Sequence, residues 1–144
     1  MTKLLRSWVE SANAPDTDFP LNNLPYGAFH FAGSALHAGV AIGDQILDVT
    51  ALENAGLPDL PETGVFARGT WNDFMALGAD VWASLRAYLT AALAEGSSQK
   101  SDLEPHLVPM AKAMLKMRFT LTEFSDCYAC RHHAFTVGSL FLDP

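Results

Sequence analysis

Leu36-His37-Ala38-Gly39-Val40-Ala41-Ile42-Gly43-Asp44-Gln45-Ile46-Leu47-Asp48-Val49 is the stretch that decides the fold. Two apolar runs of strand length meet at Gly43-Asp44. That pair predicts an antiparallel hairpin with a two-residue type II′ turn, whose first central residue needs a positive φ that glycine adopts without steric cost. Just upstream, Tyr26-Gly27-Ala28-Phe29-His30-Phe31 predicts another strand, ending at Ala32-Gly33-Ser34.

Helices are expected after the hairpin. Thr50-Ala51-Leu52-Glu53 has the spacing of a capping box, with Gly56 as the stop. Residues 57–64, carrying Pro58 and Pro61, predict a loop. Thr70 is positioned to cap a short helix bearing Trp71, Phe74 and Leu77, closed by Gly78. A longer helix from about Asp80 to Glu95 places Val81, Leu85, Tyr88, Leu89 and Ala92 on one stripe. Gly96 to Ser101 predicts a connector, Pro105 and Pro109 bracket a bend, and Ala113 to Thr120 predicts a last strand. Before Tyr26, Pro15, Pro20 and Pro25 forbid a continuous helix. Leu4 to Val9 predicts at most a weak turn there, and Phe19, Leu21 and Leu24 are the residues expected to pin this arm. The fold class is therefore α+β: a few antiparallel strands with helices inserted between them.

The 144 residues suffice for one domain with its own core. Hydrophobic residues at 49% and charged residues at 17% argue against disorder. The net charge of -7, with nine Lys and Arg scattered singly, argues against nucleic acid as a partner. No run reaches the length of a membrane span, and Met1 to Glu10 lacks the apolar core of a secretory signal. A cytoplasmic protein with reduced thiols is the expectation. His30 and His37 fall within apolar strands, where packing or an edge position is the ordinary role. His106 is expected in a solvated loop, and Trp71, Trp82 and Tyr88 are expected in the core.

Chemistry concentrates in Phe124-Ser125-Asp126-Cys127-Tyr128-Ala129-Cys130-Arg131-His132-His133-Ala134. If Ser125 caps a helix starting near Asp126, positions 126, 130, 133 and 137 share one face. Asp126 and His133 would then stand roughly 10 Å apart along the axis, too far to share one ion but suited to opposite sides of one substrate. Asp126 is a hard oxygen donor preferring Mg²⁺ or Ca²⁺, although one carboxylate cannot hold such an ion alone. His133 can act as a general base near neutral pH. Tyr128 lies about 200° around an ideal helix from Asp126 and joins them only if the first turn is irregular. Cys127 and Cys130 form a Cys-x-x-Cys pair of the kind used in redox or zinc chemistry. A zinc site from Cys127, Cys130, His132 and His133 would need four ligands within seven residues of one element, which is poor geometry.

Three anchors in order, Asp18-Phe19-Pro20-Leu21-Asn22-Asn23-Leu24-Pro25-Tyr26-Gly27, the stretch Gly39 to Asp48, and Phe124 to Ala134, resemble the N-terminal part of the fumarylacetoacetase family. The resemblance covers nearly the whole chain. It implies an SH3-like barrel over residues 1–118 and the beginning of a β-rich catalytic hydrolase domain over residues 119–144. It implies cleavage by water of a carbon–carbon bond in a β-diketone acid, giving fumarate and acetoacetate in tyrosine catabolism. It also implies a divalent cation, Mg²⁺ or Ca²⁺, with Asp126 as its first ligand, Tyr128 as a substrate contact and His133 as the general base. The family is homodimeric. Cys127 and Cys130 stand where Phe and Ser are commoner, and Phe135-Thr136 stands for Thr-Asn. Leu142 replaces an arginine expected to grip a substrate carboxylate, a contact leucine cannot make. The further metal-binding carboxylates of the family are expected on later strands beyond Pro144, so the isolated chain is expected to be inactive. A non-catalytic assembly or folding module, and a thiol-based metal or redox module, are the alternatives.

Overall fold

The computed structural model describes residues 4–125, 127 and 129–141. Five antiparallel strands form one curled sheet: β1 (Tyr26–Phe31), β2 (His37–Ile42), β3 (Gln45–Asp48), β4 (Leu107–Pro109) and β5 (Ala113–Lys116), in the order β4-β3-β2-β1-β5. Helices α1 (Val49–Asn54), α2 (Asn72–Ala76), α3 (Ala79–Ala92) and α4 (Lys100–Leu103) are inserted between β3 and β4, and α5 (Arg131–Phe141) follows the sheet. The α+β class stands.

The central hairpin forms as its sequence dictates. Ile42 pairs with Gln45 across Gly43-Asp44, and Gly43 takes φ +56°. A side chain at Gly43 would also strike the arm, since a Cβ there would lie 2.3 Å from Ser11 Oγ and 2.5 Å from the Ala12 nitrogen. The arm is thus held on the turn. Gly43 N–H donates to Phe19 O at 2.8 Å, and Ser11 Oγ donates to Asp44 Oδ1 at 2.6 Å. That hydroxyl, with the Gln45 amide, holds the exposed Asp44 carboxyl below its ordinary value of 3.8.

Leu21 and Leu24 are buried beneath the arm as expected, and Phe19 is half-buried. Leu4 to Val9 does not form a turn. Ser7 instead makes an antiparallel bridge to Ala94, with Ser7 Oγ donating to Leu93 O at 2.6 Å and Trp8 Nε1 to Ala92 O at 2.9 Å. The end of α3 offers those carbonyls because its last turn leaves them without helical partners.

Helix α1 begins two residues earlier than a Thr50 cap would allow. Asp48, the last residue of β3, is its N-cap, and Asp48 Oδ1 accepts from Ala51 N–H at 2.9 Å. Thr50 is buried, and its hydroxyl accepts from Ala38 N–H at 2.9 Å and donates to Phe66 O at 3.2 Å. Glu53 turns away from the cap as well. Its two carboxylate oxygens accept from Val65 and Phe66 N–H, both at 2.8 Å. The capping-box spacing is present, but both side chains bind the 65–66 loop.

Thr70 caps nothing either, because α2 starts from Trp71, whose N–H donates to Arg118 O at 2.9 Å. That bond also shortens the last strand. β5 ends at Lys116 rather than Thr120, because the chain swings from β1 to α2. There the Asn72 amide donates to Thr120 O at 3.0 Å and accepts from Thr120 N–H at 2.8 Å. Helix α3 buries Leu85, Leu89 and Ala92, while Val81 and Tyr88 pack against the core from its margin. Trp71 is core, stacked on Tyr26 at 4.3 Å and edge-on to Phe66 and Phe74. Trp82 is not, being 42% exposed with its indole N–H on Phe74 O.

His37 fits its structural reading. Its ring touches Phe29 and Phe31, and Nδ1–H donates to Asp48 Oδ2 at 2.7 Å. Asp48 therefore ties β2 to α1 through two oxygens from a buried position. Asp48→Ala removes the cap and orphans the imidazole, and is expected to cost about 2 kcal/mol. Asp48→Asn retains an acceptor for Ala51 and should cost less than half as much. Urea-unfolding midpoints of the two variants check this, and equal losses would remove the cap from the account.

Candidate functional site

Beyond Thr120 every described residue up to Arg131 is exposed, and no residue of α5 is buried. The contrast with the preceding hundred residues is sharp. Phe66, Leu52 and Leu103 are 0% exposed, whereas Phe124 is 88% and Phe141 81% exposed. Chemistry-bearing residues and core thus lie in separate parts of the chain.

Asp126 and Tyr128, the expected metal ligand and substrate contact, lie outside the described residues, as does Leu142. His133 is described. It is the third residue of α5, exposed, in the first turn of the helix. The helix does not begin near Asp126. Its first intrahelical bond runs from Ala134 N–H to Cys130 O at 3.0 Å, and the described positions among 121–130 are neither helix nor strand. Asp, Cys and Tyr are weak helix formers, so a serine cap alone does not start a helix there. α5 therefore carries His133 and position 137 of the expected face, while Asp126 lies outside the described residues.

The donors available do not build a cation site by themselves. Among the described residues no three His, Cys, Asp or Glu side chains converge. Mg²⁺ and Ca²⁺ require several oxygens, and Asp126 supplies the right donor type but only one carboxylate. Cys127 and Cys130 are both exposed free thiols.

One cleft adjoins the place where the chain leaves the folded body. Tyr26, Trp71, Phe74, Met75, Trp82, Arg118 and Phe119 line about 290 Å³. Arg118 Nη1 donates to Tyr26 O at 3.5 Å. Burial raises the Tyr26 phenol above its ordinary value, opposed by the nearby Arg86 guanidinium. Sequence reasoning missed this cleft, since its residues come from four separated stretches, β1, α2, α3 and the segment after β5, and their spacing carries no common signal.

A family model described as fumarylacetoacetase N-terminal matches residues 22–118. The chain belongs to this family. It is 36% identical over 135 residues to the fumarylacetoacetase of Bos taurus, covering 89% of this chain and 32% of that protein. It is 38% identical over 136 residues to that of Caenorhabditis elegans, covering 88% and 32% respectively. Against that of Oryza sativa subsp. japonica it is 35% identical over 151 residues, covering 97% and 35%. The chain thus spans about a third of the length of these family members. Among the described residues, no helix is long and apolar enough to cross a membrane.

Proposed function

We propose that this chain is the N-terminal portion of a fumarylacetoacetase-like hydrolase that cleaves a carbon–carbon bond of 4-fumarylacetoacetate to fumarate and acetoacetate. The similarity to the rice protein carries this reading. It takes in 97% of the chain, leaving about four residues, fewer than the eleven that follow His133, so it extends across the 124–134 cluster.

In this reading His133 takes a proton from water, the water oxygen bonds to the carbonyl carbon, and the carbon–carbon bond breaks. The departing electron pair is then protonated on carbon. Exposure on the first turn of a helix leaves the imidazole accessible to such a water. Asp126 would hold part of a Mg²⁺ or Ca²⁺ whose other oxygens come from outside these residues, and Tyr128 would contact the β-diketone acid. That cation, when bound, supplies Lewis-acid stabilisation of developing negative charge. The family match ending at residue 118 and the loss of burial after Thr120 support a domain boundary near 118. The curled sheet supports an SH3-like description of the first domain. Its location is proposed as cytoplasmic.

Because the chain spans a third of its relatives, activity belongs to the whole protein. The 144-residue chain alone should show no turnover of fumarylacetoacetate with or without millimolar Mg²⁺ or Ca²⁺, read by loss of substrate absorbance. Mixed with the portion of a relative that it does not span, it should show cation-dependent turnover. Robust turnover by the chain alone would overturn the division of the site. An assembly module is the second reading, favoured by the self-contained core of residues 9–103. In that case the mixed enzyme would work equally well without His133.

A further inference from the structure

Cys127 and Cys130 are the chain's two cysteines, and the proposed reaction uses neither. Both thiols are exposed, so a small oxidant reaches them without unfolding the domain. They stand three residues apart, immediately before α5. The Cys130 carbonyl accepts the first bond of that helix, which puts Cys130 at its N-cap and Cys127 outside it.

This placement decides what the pair can do. On a helix, side chains at this spacing hold their Cβ atoms about 5–6 Å apart, beyond the roughly 3.5–4.5 Å that a disulfide spans. Cys127 and Ala129 are neither helix nor strand, so the described backbone between the thiols loses no ladder or helix bond when it turns. Arg131 follows directly, and the N-terminal end of an eleven-residue helix adds its positive partial charge. Both favour approach of an anionic disulfide. Zinc is a poorer occupant, because no third ligand converges on the thiols among the described residues.

We propose that Cys127 and Cys130 form a reversible intramolecular disulfide, by exchange with a low-molecular-weight disulfide of the glutathione type, and that this bond constrains the entry to α5. One cysteine thiolate attacks the glutathione disulfide, a protein–glutathione bond forms, and the first glutathione thiol leaves. The second cysteine thiolate attacks the protein sulfur of that bond, the Cys127–Cys130 bond forms, and the second glutathione thiol leaves. The two thiol protons end on the two released glutathiones. The protein loses two electrons, and the oxidant gains them. A consequence for catalysis follows only if His133 is the base proposed above, since the bond closes three residues before it.

The test uses the full chain in glutathione buffers of graded ratio, with acid trapping, thiol alkylation and intact mass. The wild-type chain should lose both thiols, with no added glutathione, at a disulfide concentration about tenfold lower than Cys127→Ser or Cys130→Ser needs to retain glutathione. Ring closure expels a group that a lone thiol must keep. Amide exchange at Ala134 should slow by about threefold or more in the oxidised form. Persistent free thiols, stable double glutathionylation or intermolecular dimers would overturn the bond, and unchanged exchange would overturn the constraint. Neither result bears on His133 as a base, and loss of the catalytic reading leaves the thiol result standing.

Discussion

Gly69→Ala should destabilise the domain by about 4 kcal/mol or more, a large share of the roughly 5–15 kcal/mol that ordinarily holds a domain folded. Gly69 is buried and takes φ +66°. A Cβ placed there would lie 2.0 Å from the Leu36 carbonyl oxygen, 2.2 Å from its carbon and 2.7 Å from the His37 nitrogen. These atoms are backbone, so no rotamer change relieves the overlap. They also sit where β2 begins, beside the His37–Asp48 bond, so displacing them disturbs the hairpin that organises the sheet. The left-handed conformation alone accounts for about 1–2 kcal/mol, and the rest is the clash. Gly56→Ala separates the two contributions. Gly56 has φ +82° with nothing within 4 Å of an added methyl, so that variant should lose only the conformational part. Urea-unfolding curves measured together give the comparison. If both variants lose about 1 kcal/mol, the 64–70 loop yields easily and its contact with β2 contributes little.

The hairpin was legible because its instructions are local. Gly43 answers a steric requirement at one position, and the flanking apolar runs are buried over most of their length, so Ile42 meets Gln45 across a turn the local sequence specifies. Helix α3 was legible for a similar reason, since Leu85, Leu89 and Ala92 repeat at the helical period. The capping box failed where partners are distant in sequence. Thr50 and Glu53 have the right spacing for each other, but folding brings Phe66 and Val65 within 3.2 Å, and those backbone groups need acceptors or donors in a site closed to water. Asp48 took the cap because the chain turns directly from strand into helix. β5 was overestimated for the same kind of reason, because Asn72 claims both backbone groups of Thr120 from 48 residues away.

The candidate site was legible as chemistry but not as geometry. Residue types in the 124–134 cluster identify donors, a base and two thiols without reference to any fold. Their arrangement depends on where a helix starts, and among the described residues of 125–131 none is buried to fix that start against weak propensities. In the folded body a single apolar contact can fix a boundary. In this exposed segment the roles proposed come from the family relationship and not from periodicity.

In the enzyme formed by mixing this chain with the missing portion of a relative, His133→Ala should lower kcat by about 10²–10⁴-fold, the usual contribution of a positioned general base. His133 lies on α5, whose residues contribute nothing to the buried core, so truncating it should move the unfolding midpoint of the 144-residue chain only slightly. A large catalytic loss beside so small a change could not be attributed to a destabilised domain. His132→Ala is the matched control: an adjacent exposed imidazole of the same chemistry, placed about 100° around the helix. It should retain most of the activity if direction matters. Equal losses at His132 and His133 would point to a general charge effect at the helix start. Full activity in His133→Ala would remove the base from this chain and leave it the role of a folded platform for a site built elsewhere.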